Sequence, residues 1–63
     1  MRFIIKEVRE KKNMSQEDLA KKSGVSRAII SNLETGRADT TTTSTLEKIA
    51  TALEEPVSKI FLE

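Results

Sequence analysis

Two short amphipathic stretches joined by about four residues constrain this chain more than any other feature of it. In residues 16–35, QEDLAKKSGVSRAIISNLET, Leu19 and Ala20 mark one inward side, Val25 stands just past Gly24, and Ile30 and Leu33 lie three apart. At 100° per residue each set falls on one side of a helix. So short a connection, with a glycine to make the turn, holds the two helices against each other at a fixed angle. Ala20 is small where crossing helices approach, and a larger residue there or at Gly24 is expected to push them apart. Ser15 is placed to N-cap the first helix, with Asp18 at its third position and Met14 and Leu19 closing a hydrophobic staple. Ser26 repeats the device with Val25 and Ile30, and Gly36 suits a left-handed C-cap.

The rest of the chain has to complete a core around this pair. Sixty-three residues make one domain, 1–63, and a domain of that size buries only about 60% of the surface its unfolded chain exposes. Cysteine is absent, so stability must come from helix packing or from a second copy of the chain. The pattern predicts five helices and no strand, an all-α fold. Helix 1 is expected over about 3–12, with Ile5 and Val8 inward and Asn13 replacing glycine at its C-terminal turn. Helices 2 and 3 are the pair above. Helix 4 carries Leu46, Ile49, Ala50 and Leu53 at the spacing of a core-facing stripe, and its start falls among Thr42, Thr43 and Ser44, each able to cap. A short helix 5 is expected with Pro56 at its first position and Val57, Ile60 and Phe61 turned back onto helices 1 and 4.

Charge and composition narrow the function. The net charge is only +1, but residues 1–37 sum to +4 and residues 38–63 to −3, so the basic half contains the two-helix motif. There is no His, Cys, Tyr or Trp, and the two glycines stand twelve residues apart, so no phosphate-cradling loop exists. Adjacent acidic pairs such as Glu17-Asp18 diverge on a helix. The chain is therefore read as not an enzyme, with no metal, cofactor or small-molecule ligand. Its only N-terminal apolar run, Phe3-Ile4-Ile5, is far short of a signal segment or a membrane span, so a soluble cytoplasmic protein is expected.

Gln16, Leu19, Ala20, Gly24, Val25, Ser26, Ile30, Leu33, Glu34 and Gly36, together with Arg9 and the run Leu46-Glu47-Lys48-Ile49-Ala50, closely resemble the Cro and C1 repressor type of helix-turn-helix protein. The likeness spans nearly the whole chain. It departs from the family in the 37–44 segment, which looks one residue longer and has Thr41 and Thr43 where the family has a proline and an apolar residue. Glu54 stands where glycine is frequent. The resemblance implies a compact five-helix repressor-like domain, and a structural ion pair between Arg9 and Glu34. Helix electrostatics are in keeping with that pair, because an acid at the C-terminal end of helix 3 is opposed by the helix dipole and calls for a cation.

The resemblance also implies double-stranded DNA as partner, with helix 3 in the major groove. If Ile30 and Leu33 define the buried side, then Ala28, Ser31, Asn32 and Thr35 face outward. Arg27 can fork onto a guanine edge, Asn32 onto adenine, and Ala28 can meet a thymine methyl, so Arg27, Ala28, Ser31 and Asn32 are the base-reading candidates. Gln16, at the start of helix 2, and Arg37, Thr40 and Thr41 in the loop are candidates for the DNA backbone. The threonine hydroxyls have an ordinary alternative in capping the loop. Ile29, about 70° from the buried axis, reads as a core edge rather than a base contact. The expected function is a sequence-specific transcriptional repressor acting as a homodimer on an inverted-repeat operator, with Phe61, Leu62, Ile60, Phe3 or Ile4 at the subunit contact. The alternative is a helix-turn-helix-fold protein-binding module, antitoxin-like or polymerase-associated, that does not read DNA.

Overall fold

The computed structural model describes residues 2–38 and 41–62. Its order is β1 (Arg2–Phe3), α1 (Ile5–Lys11), α2 (Gln16–Ser23), α3 (Arg27–Thr35), α4 (Thr43–Leu53), a single 3-10 turn (Val57–Lys59) and β2 (Phe61–Leu62). The architecture is all-helical with a two-residue antiparallel ladder at one edge, Arg2 opposite Leu62 and Phe3 opposite Phe61.

The ladder corrects two expectations. Helix 1 does not reach back to Phe3, because the Ile4 N–H donates to the Ile60 carbonyl at 2.9 Å and continues the pairing. Ile4 is also the N-cap and has no side-chain oxygen for it, so helical geometry begins only at Ile5. Nor do the described residues form a fifth α-helix. Pro56 sits before the 3-10 turn in an extended conformation rather than inside it, and after one turn the chain straightens to reach β1. Phe61 is thus extended, not helical, and half-buried, while the side chain of Leu62 lies outside the described residues.

The core is built from Ile5, Leu19, Val25, Ile30, Leu33, Leu46, Ile49, Ala50, Ala52, Leu53 and Ile60, with Phe3, Val8, Met14, Ala20 and Val57 packed at its edge. Of the inward positions expected of α2, α3 and α4, all are buried except Ala20, which is half-buried at the edge of the core. Ile60 is fully buried, which removes it from the candidates for a subunit contact.

Caps fix where the helices stop. The Ser15 hydroxyl accepts from the Asp18 N–H, and the Asp18 carboxylate accepts from the Ser15 N–H, both at 3.0 Å. Ser26 accepts from the Ile29 N–H at 3.2 Å. Among the three candidate caps of α4, Thr42 takes the role, accepting from the Thr45 N–H at 3.1 Å. Gly24 and Gly36 close α2 and α3 at φ +77° and +81°. Glycine serves at 24 for the backbone freedom expected of the turn, but a Cβ there would meet nothing within 4 Å, so a larger residue would not push the helices apart as expected. Asn13 and Glu54 hold the same conformation at φ 58° without that freedom. Glu54→Gly is therefore expected to stabilise the fold by about 0.5–1 kcal/mol in chemical denaturation.

The capping box also sets an acid limit. Its hydrogen bonds to the Ser15 backbone and hydroxyl hold the Asp18 carboxyl below its ordinary value. A carboxylate depressed in the folded state supports that state above the unfolded pKa, and the support is lost as pH falls through the folded value. Amide chemical shifts of Ser15 and Asp18 are expected to report opening of the box below about pH 4, and a box insensitive to acid would contradict the assignment.

Candidate nucleic-acid interface

Glu34, at the C-terminal end of α3, needs a positive partner, and α1 supplies it. Arg9 Nε donates to Glu34 Oε2 at 2.9 Å and a terminal guanidinium nitrogen donates to Oε1 at 3.1 Å, a forked pair. The other terminal nitrogen donates to the Met14 carbonyl at 2.7 Å. Side-chain exposure is 10% for Arg9 and 3% for Glu34, so the pair is shielded from water. The carboxylate's hydrogen bond keeps the Arg9 guanidinium charged, outweighing the cost of its burial. This clamp joins α1, the α1–α2 connection and the end of α3.

The clamp continues into α2. Gln16 Nε2 donates to Glu34 Oε1 at 3.0 Å, and Gln16 Oε1 accepts from Arg27 Nε at 3.5 Å. Long and solvent-exposed, the second contact orients Arg27 more than it immobilises it. Residue types alone did not reveal this connection: Gln16 carries no charge to balance, and its partners lie eleven and eighteen residues away. At the same helix end, Glu17 and the capping carboxylate of Asp18 offset the attraction of the helix dipole for an anion.

On α3 the outward face is as helical geometry requires. Arg27 and Ala28 are exposed, Ser31 and Asn32 half-buried, and Thr35 exposed with its hydroxyl donated back to the Ser31 carbonyl at 2.9 Å. Arg37 is exposed and Thr41 half-buried at the loop, whereas Thr40 lies outside the described residues. Ile29 departs from a core-edge reading: at 43% exposure it is the exposed large apolar side chain among the described residues. It lines a shallow cleft with Asn32, Leu33, Ala38, Thr41, Thr42 and Thr45, between α3 and the start of α4.

A capped helix, a glycine turn and a second capped helix packed across the first, with a polar outer face, define a helix-turn-helix domain. The comparison with known families agrees, matching a helix-turn-helix family over residues 5–60. The chain belongs to the Cro/C1-type helix-turn-helix family, whose membership points to a DNA-binding regulator. No curated protein matches the chain. Among the described residues no helix is long and apolar enough to cross a membrane.

Proposed function

We propose that this protein is a sequence-specific transcriptional regulator, a cytoplasmic repressor that occupies an inverted-repeat operator as a homodimer. The observation that carries the reading is the outer face of α3, where Arg27, Ala28, Ser31 and Asn32 stand side by side while the clamp of Arg9 and Glu34 fixes the helix from behind. Arg27 and Asn32 have the donors and acceptors for guanine and adenine edges in the major groove, and Ala28 has a methyl for thymine. Arg37, Thr41 and Thr40 are assigned to flanking phosphates.

Gln16 is assigned to a phosphate through the amide hydrogen that Glu34 does not take. Gln16→Ala is expected to weaken binding to selected and random duplexes alike, by roughly tenfold. Loss confined to one base pair would instead make Gln16 a support for Arg27. Fluorescence anisotropy with both duplexes separates the two.

A single domain of this size covers too few base pairs for the roughly 10⁻⁸ M affinity typical of specific regulators, which is the argument for two copies. Half-buried Phe3, Ile4 and Phe61 around the ladder are the proposed contact. A two-fold axis would set the two α3 helices about 34 Å apart on half-sites centred about 10 base pairs apart. The competing reading, a protein-binding module, draws on the exposed Ile29. Selection from a random duplex library tests both: an enriched inverted repeat bound by two chains supports the proposal. A site without inverted symmetry saturated by one chain would overturn the dimer, and no enrichment would favour the protein-binding reading.

A further inference from the structure

We infer that Ile29 is an apolar base reader, taking the C5 methyl of a thymine at the edge of the half-site in the cleft it shares with Asn32, Thr41 and Thr45. The inference rests on the DNA-binding reading and adds a specificity determinant to it. A monomer gains by burying isoleucine, and here the neighbouring Ile30 is buried completely while Ile29 is left 43% exposed. Its place is continuous with the proposed interface: Ile29 precedes Asn32 by three residues, so the two are surface neighbours on α3, and it directly follows exposed Ala28.

The walls of the cleft around Ile29 suit a methyl group. Leu33 and Ala38 supply apolar walls, and the rim threonines come from the loop (Thr41), the N-cap of α4 (Thr42) and its first turn (Thr45). Two of their polar groups are already engaged, Thr42 Oγ1 donating to Thr45 Oγ1 at 2.9 Å while accepting from the Thr45 N–H. Among base edges in the major groove, only thymine presents a methyl group. Asn32 beside the cleft can fork onto an adenine. Together they favour a step in which a thymine and an adenine fall next to each other at the α4 side of the half-site.

The test uses duplexes carrying the selected site, in which each thymine is replaced singly by deoxyuridine, removing one methyl and no hydrogen-bonding group. For the unaltered protein one deoxyuridine position per half-site is expected to weaken binding about fourfold, the value of one lost methyl contact. Ile29→Ala should bind the unmodified site about as weakly and be indifferent to that same replacement, while Ile29→Val should keep most of the sensitivity. Thermal unfolding of each variant checks that α3 is intact. Equal sensitivity of the unaltered protein and Ile29→Ala at every thymine would overturn the inference and leave DNA binding standing. Failure to enrich any duplex would overturn the DNA-binding reading, and the role of Ile29 with it. A rise in self-association or protein capture that depends on Ile29, without methyl sensitivity, would also overturn it and assign the cleft to a protein surface.

Discussion

Arg9→Met is expected to destabilise the fold by about 2–4 kcal/mol, far more than the ~0–1 kcal/mol of an exposed ion pair. The substitution leaves the Glu34 carboxylate, 3% exposed, with Gln16 as its remaining hydrogen-bond partner, and takes the donor from the Met14 carbonyl. It also leaves an acid facing the negative end of the α3 dipole. Glu34→Gln strands the complementary charge, and a loss of about 2 kcal/mol is expected because the neutral amide still accepts one of the two bonds. The double variant should recover part of the summed loss, since neither charge then lacks its counterpart. Urea denaturation of the four proteins forms the cycle, and strictly additive losses would show that the pair contributes no coupling.

Arg27→Ala and Asn32→Ala are each expected to cost about 1–3 kcal/mol against the selected site and to relax selection at one base pair each. Both substitutions lie on the outward side of α3, away from the core, so folding stability should change little. Binding to random duplexes should respond differently in the two cases. Arg27→Ala removes a charge and lowers nonspecific affinity slightly, whereas Asn32→Ala should leave it nearly unchanged. Selection repeated with each variant, at one fixed salt concentration, reads the effect directly. Uniform loss across all sequences would reassign that residue to the phosphate backbone.

The parts of this account that were legible in the sequence are those carried by short offsets. Ser15 with Asp18, Ser26 before α3, and the stripe of Leu46, Ile49, Ala50 and Leu53 are set by helical periodicity and cap chemistry within a few residues. Arg9 and Glu34, twenty-five residues apart, were legible in two parts: an acid at a helix C-terminus demands a cation, and the resemblance to the family implied that Arg9 is that cation. The ladder was not legible. It consists of two residues at each end of the described chain, too few for an alternating pattern, and it forms only because α1 and the 3-10 turn bring those ends together. At Gly24 the need for backbone freedom was legible from the short turn and is met at φ +77°, but the expected crowding by a larger residue was not, since residue type alone does not show what a Cβ would meet. For the interface, helical geometry predicted the outer face of α3. It did not show that Gln16 bonds to Glu34 or how far Ile29 is exposed, because both depend on how α2 and the α3–α4 loop pack against α3.

The most direct test of the central claim, that the outer face of α3 reads base sequence, is the ratio of affinities for the selected duplex and a scrambled duplex of equal length at physiological salt. The account predicts a ratio of about 10³ or more for the unaltered protein, and a fall of at least tenfold in that ratio for the Arg27→Ala/Asn32→Ala double variant, with thermal stability unchanged. A ratio near one for the unaltered protein, or a ratio that the double variant leaves intact, would contradict it.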